Sequence, residues 1–315
     1  GRKCPSTRGS PRRRMMKYDK IVIGCTLSSV LYSFYNQMPL IFVEKQNIHP
    51  FNFFETKTDL SLLKIEPSYT LQKPDEQKVT FGIPRQKVYD KIMALLCLSG
   101  LVPFSHLCKA LTVQDESLKV ITQGNKVFNV GYKDLIIFDD RGISGLPSII
   151  QDNKEQPRQV VDWFAVNKGG LHDIDYIQTN DEFVKEIFFY PSQRVTNSPN
   201  KKDLLAVSYL THQQATHDYQ YSDTYCRFKV LKCIKEAGIR GSKNGKNPNY
   251  PDRSSEPFQW LSPKIKLMKR EIMPPAMAKY ENTKNIKFCY DAPEKIIAKN
   301  SIKISAYSTK LLNAL

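Results

Sequence analysis

The sequence predicts an α/β protein: a lobe founded on a strand–helix–strand unit, a mixed α+β second lobe, and a helical C-terminal region. Three observations predict it. Residues 18–45 hold two apolar runs joined by a segment at helical spacing. Residues 117–140 hold a hairpin followed by a buried-type strand. From Ser222 the pattern turns helical.

Tyr18 to Gly24 (YDKIVIG) is a β-branched run ending at a glycine, as a buried strand does where it meets a turn. Thr26 to Gln37 follows with Leu27, Val30, Leu31 and Phe34 on one helical face. Ser28 and Ser29 fall in its first turn, where short hydroxyls can satisfy free backbone N–H groups. Pro39 stops the helix, and Leu40 to Val43 forms a second apolar strand capped by Glu44. A helix between two such runs implies parallel neighbours and a right-handed crossover. Residues 21–43 form an uncharged stretch of 23 positions, long enough to span a bilayer. Ser28, Ser29, Ser33, Asn36, Gln37 and Pro39 interrupt it, which favours strand–helix–strand over a membrane anchor.

Residues 46–80 read as irregular, and 84–100 as an amphipathic helix with Pro84 near its start and Gly100 beyond its end. Ser117 to Thr122 and Lys126 to Val130 flank Gln123-Gly124-Asn125, a hairpin signature. Asp134 to Asp140 (DLIIFDD) is a further strand. Val160 to Val166, Ile187 to Tyr190 and Leu204 to Leu210 read as strands, with a short helical turn at 181–187. Asp223 to Ala237 reads as a helix with Ser222 as its cap and Gly238 as its stop. Lys264 to Met273 and Lys310 to Leu315 read as helical.

The formal charge is +16, and residues 1–14 contribute six basic residues without an acid. That stretch reads as non-native or disordered, with Met15-Met16 as the natural start. Without it the charge is +10. A basic surface favours anionic partners, and a solvated lysine-rich surface explains it equally. Seven scattered cysteines without a CxxC pair fit reduced thiols in a cytoplasmic compartment. His212 and His217 are five apart and do not share a helix face, so no metal site is expected.

A dinucleotide site needs a strand delivering the chain to a tight turn, and a helix N-terminus facing the pyrophosphate. An acid about 20 residues on takes the ribose hydroxyls. Gly24 stands at the turn and Glu44 lies 20 positions further. Aligned on Gly24, Thr26 occupies the second glycine place and Ser29 the third. A plain βαβ unit holding no nucleotide fits the same pattern.

On these residues, and on the order helix 84–100, hairpin 117–130 and strand 134–140, the chain resembles the FAD/NAD(P)-binding flavoprotein superfamily. This is the glutathione-reductase-like fold that includes amine oxidases and UDP-galactopyranose mutase. The resemblance covers roughly 18–145 and is specific at 21–44. It implies a Rossmann-like FAD/NAD(P)-binding lobe with a β-meander at 15–150, carrying a helical insertion at about 46–112. A mixed β substrate-type lobe at 151–221 and a helical C-terminal region at 222–315 follow. Gly24, Cys25, Thr26, Leu27, Ser28 and Ser29 would line the pyrophosphate turn, with Glu44 and Lys45 at the ribose. The cofactor implied is FAD, with NAD(P) as the alternative. The activity implied is that of a flavin-dependent oxidoreductase or isomerase on a small-molecule substrate. Asp139-Asp140 replace the small residues usual after that strand, and no late GD strand motif is visible near the C-terminus.

Two further groups are anion or substrate candidates. Tyr219 and Tyr221 precede a helix start with Arg227 one turn on, where helix capping is the plain alternative. Arg240, Lys243 and Asn244 lie in a glycine-rich basic loop that can cradle phosphate or simply end a helix. Asp162-Trp163-Phe164 and Phe188-Phe189-Tyr190 read as core, and His172 with Asp173 as adjacent loop residues. Two other readings stay open: a cofactor-free basic protein that binds nucleic acid or another polyanion, and a nucleotide-sugar-type transferase.

Overall fold

The computed structural model describes residues 16–44, 53–55, 60, 63, 65, 69–72, 80–104, 108–150, 158–166, 176–190, 203–211, 223–236, 265–273 and 276–300. In chain order the elements begin β1 (Met16–Ile23), α1 (Leu27–Asn36), β2 (Leu40–Ile41), β3 (Phe53–Glu55), β4 (Tyr69–Gln72), β5 (Thr80–Pro84) and α2 (Arg85–Leu98). Next come β6 (Cys108–Gln114), β7 (Ser117–Thr122), β8 (Val127–Ile137), β9 (Ile143–Ser144), β10 (Arg158–Val166), β11 (Tyr176–Gln178), β12 (Val184–Tyr190) and β13 (Asp203–Thr211). The last are α3 (Asp223–Glu236), β14 (Ile265–Ile272), β15 (Ile286–Phe288) and α4 (Pro293–Asn300). Among the described residues, no helix is long and apolar enough to cross a membrane.

The chain forms two units. The first comprises Gly1–Gln46, Ile92–Ile150 and Met277–Ile296, and the second Asn47–Lys91, Gln151–Ala276 and Ile297–Leu315.

In the first unit the strand order is β2-β1-β8-β7-β6-β9, with β15 also on β8. β1 runs parallel to β2 and β8, and β15 parallel to β8, whereas β6, β7 and β8 form an antiparallel meander. The strand–helix–strand expectation for 18–45 holds, and Leu27, Val30, Leu31 and Phe34 are buried as their spacing requires. The hairpin strand at 126–130 and the strand at 134–140 prove to be one element. β8 runs unbroken for 11 residues, pairing with β7 over Val127–Gly131 and with β1 over Val130–Ile137. This strand joins the meander to the parallel strands, and its apolar face packs on Ile21, Ile23, Leu118 and Val120.

The second unit holds a sheet in the order β14-β10-β13-β12-β11-β4-β5-β3. Its pairs are antiparallel except for β11 with β4. Even-numbered β10 residues Val160, Phe164 and Val166 face Cys226, Val230, Cys233 and Ile234 of α3. Val161 packs on the opposite face with Tyr176, Phe188 and Ala206.

Three local expectations are corrected. Within 264–273, read as helical, Ile265–Ile272 forms strand β14, because the open edge of β10 offers it a partner. Helix-forming Lys, Leu and Met set only a weak local preference, which that pairing overrides. The helical turn at 181–187 is instead a side-chain-closed turn. Asp181 Oδ1 accepts the N–H groups of Phe183 at 2.8 Å and Val184 at 3.0 Å, and β12 starts at once. Residues 46–80, read as irregular, contribute β3, β4 and the start of β5. The C-terminal region therefore mixes helix and strand, in the order α3, β14, β15, α4 among the described residues. Ser222, Gly238 and residues 310–315 lie outside the described residues.

Candidate functional site

Gly24 ends β1 at φ +114°, a conformation that disfavours any side chain. A Cβ at this position would lie 2.8 Å from the Cβ of Asp139, so the glycine also lets the end of β1 meet the end of β8. Thr26 then caps α1: its Oγ1 accepts the Ser29 N–H at 3.1 Å. The cap is Thr26 and not Ser28 or Ser29, whose hydroxyls turn to carbonyls. Ser29, fully buried, donates to Gly24 O at 2.9 Å and Thr26 O at 2.8 Å. Ser28 donates to Asp291 O at 2.9 Å. Cys25 and Leu27 are buried in the core.

Glu44 is exposed beyond β2, and Lys45 lies outside the described residues. So do Tyr219, Tyr221, Arg240, Lys243 and Asn244. Arg227 is half-buried on α3 in the second unit.

Sequence reasoning missed three features near this turn. The first is β15, a three-residue strand beside β8 that ends in Cys289-Tyr290-Asp291-Ala292 before α4. Asp291 lies three residues beyond this strand and follows Tyr290, so no GD pair occurs here. Three residues are too few to show a strand pattern. The second is the pair formed by Arg141 and Asp139. Nε of Arg141 donates to both carboxylate oxygens, at 2.8 Å and 2.9 Å. Hydrogen bonding to Asp139 raises the Arg141 guanidinium above its ordinary value against the opposing effect of burial, and the charges of Glu44 and Asp140 add to the rise. Gly142 follows at φ +69°, with Val43 where a Cβ would stand. The third is Asp140, which accepts from the Tyr280 hydroxyl at 2.9 Å and the Ala278 N–H at 3.3 Å. Burial first, and then that hydrogen bond, push the Tyr280 phenol up to about 12, so it stays protonated and donates.

Three features that a dinucleotide site requires are present here: a tight turn, a helix end and an acid beyond the second strand. Gly24 supplies the turn, α1 begins three residues later, and Glu44 is exposed at the spacing that ribose hydroxyls require. At the second and third glycine places of the motif stand Thr26, whose side chain caps α1, and Ser29, which is fully buried, while Asp139 and Arg141 follow β8.

The second unit holds a buried polar cluster of its own. Asp162, 0% exposed on β10, accepts Nε and Nη2 of Arg270, each at 2.7 Å, and the Tyr209 hydroxyl at 3.1 Å. Arg270 Nη2 also lies 3.6 Å from Cys226 Sγ. Burial first, and then the Asp162 charge, push the Cys226 thiol up to about 11 and the Tyr209 phenol far above its ordinary value. Groups held protonated in this way are not nucleophiles, and the cluster ties β10, β13, β14 and α3 together.

No protein-family model and no curated protein sequence matches the chain. Among solved structures, the peptidyl tryptophan dihydroxylase QhpG superposes with a TM-score of 0.50 at 9% identity, over 94% of this chain and 71% of its own. A geranylgeranyl bacteriochlorophyll reductase-like protein from Thermoplasma acidophilum gives 0.48 at 11% identity, over 95% and 83%. The myxobacterial chondrochloren halogenase CndH, a variant of FAD-dependent halogenases, gives 0.48 at 10% identity, over 95% and 76%. At such identities the likeness concerns the fold. The chain shares with QhpG a two-sheet α/β fold, with a mixed Rossmann-like sheet in one unit and a largely antiparallel sheet in the other.

Proposed function

We propose that the chain is an FAD-dependent oxidoreductase-like protein whose dinucleotide site lies at the carboxyl ends of β1, β8 and β2. One observation carries the reading. The chain places a left-handed glycine, a helix N-terminus and an exposed acid at the switch point of parallel strands, where open α/β sheets bind nucleotides. In this role Gly24 and the first turn of α1 accommodate the pyrophosphate, and Glu44 accepts from the adenosine ribose. Asp291, three residues beyond β15, accepts the Ser28 hydroxyl of α1 at its carbonyl and pairs through its carboxylate with Lys295 of α4. Bound FAD would supply the hydride or electron transfer that no side chain can. The protein's part is to seat it and to hold water away.

The test is FAD uptake by the purified chain, read as quenching of flavin fluorescence. Saturable uptake of one FAD per chain is expected, and Glu44→Ala should weaken it about tenfold, the value of one or two lost hydrogen bonds. Absence of saturable uptake at any FAD concentration tested would sink the flavin reading.

A further inference from the structure

The polar groups around this turn already hold one another. Thr26 takes the Ser29 N–H, Ser29 donates to two carbonyls of its own turn, and Ser28 reaches Asp291 O. Asp139 grips Arg141, and Asp140 accepts from Tyr280 and Ala278. A bare glycine turn leaves backbone N–H groups for a ligand, whereas here the Thr26 hydroxyl already accepts one of them, the Ser29 N–H. Charge acts in the same direction. Glu44, Asp139 and Asp140 put three carboxylates beside the single guanidinium of Arg141, surroundings that oppose a pyrophosphate.

We propose that this unit is complete without a cofactor, so that FAD is an exchangeable ligand, and that Arg141 leaves Asp139 for the pyrophosphate when FAD enters. The inference rests on the flavin reading above. The guanidinium fork suits a carboxylate and a phosphate equally, so one side chain can serve both states. The Arg141 side chain is 27% exposed and that of Asp139 9%, so the member of the pair able to turn outward is the arginine.

The experiment compares the full chain with Asp139→Asn and Arg141→Ala, in FAD titrations and in thermal melts without flavin. The wild-type chain should purify colourless, melt cooperatively, and take up added FAD that gel filtration then removes. Asp139→Asn frees the guanidinium and should bind FAD about tenfold tighter, and Arg141→Ala about tenfold more weakly. A merely structural ion pair would make both variants less stable and shift FAD affinity in the same direction. If Asp139→Asn does not fold, the Arg141→Ala titration decides, because unchanged affinity there overturns the proposal. Stoichiometric FAD retained by the wild-type chain through gel filtration also overturns it while upholding the flavin reading. Absence of uptake by all three proteins overturns both.

Discussion

Replacing Arg270 with methionine should destabilise the second unit by about 3–5 kcal/mol, the cost of leaving a buried charge unpaired. The asymmetry of the pair sets this figure. Asp162 is 0% exposed and loses both 2.7 Å bonds, keeping the Tyr209 hydroxyl at 3.1 Å. Arg270 is different, with a side chain 33% exposed, so removal of its partner lets the guanidinium reach water. Asp162→Asn should therefore cost less, about 2 kcal/mol. Asp162→Leu with Arg270→Met removes both charges and should return to within about 1–2 kcal/mol of wild type, because an apolar pair carries no desolvation penalty. Urea unfolding followed by tryptophan fluorescence reads this directly, since Trp163 lies next to Asp162 on β10. Equal losses in the two single variants, or a double variant as unstable as their sum, would refute the argument that burial decides the cost.

Three further outcomes are expected. Gly24→Ala should destabilise the first unit by about 2–4 kcal/mol, from a strained positive φ and a Cβ 2.8 Å from that of Asp139, as measured by thermal melts. The carboxyl of Asp181 is raised by burial but held on balance below its ordinary value of 3.8 by the N–H groups of Val184 and Phe183 and by Lys229. Its contribution to stability is then fully present above pH 3.8 and lost as pH falls through the lower folded value, so the stability gap between wild type and Asp181→Asn should narrow as pH falls below 3.8. Burial pushes the thiols of Cys108, Cys226 and Cys233 up to about 11, whereas Cys97 is exposed. A disulfide-exchange reagent at about pH 8 should modify Cys97 in the native chain and those three only on unfolding.

The sequence by itself determined the β1–α1–β2 unit, the Gly24 turn and the placement of Glu44. All three depend on local patterns: apolar runs of strand length, a helical face and a proline stop. It also determined α2, α3 and the β7–β8 hairpin, for the same reason. Only the tertiary structure decided that β8 continues as one strand through two sets of partners, because a strand's partners lie far away in the chain. Ile265–Ile272 became β14 for that reason too: the edge of β10 and the buried Asp162 supply the pairing that local helix preference lacks. The candidate site follows the same logic. The acids and the arginine after β8 are visible as letters, but Asp139 faces Gly24 and Asp140 meets Tyr280 only once β1, β8 and the 276–283 segment are brought together. A sequence reports which groups are present. Whether a polar group is left for a ligand or already held by the protein depends on contacts formed across the sheet, and these exist only in the fold.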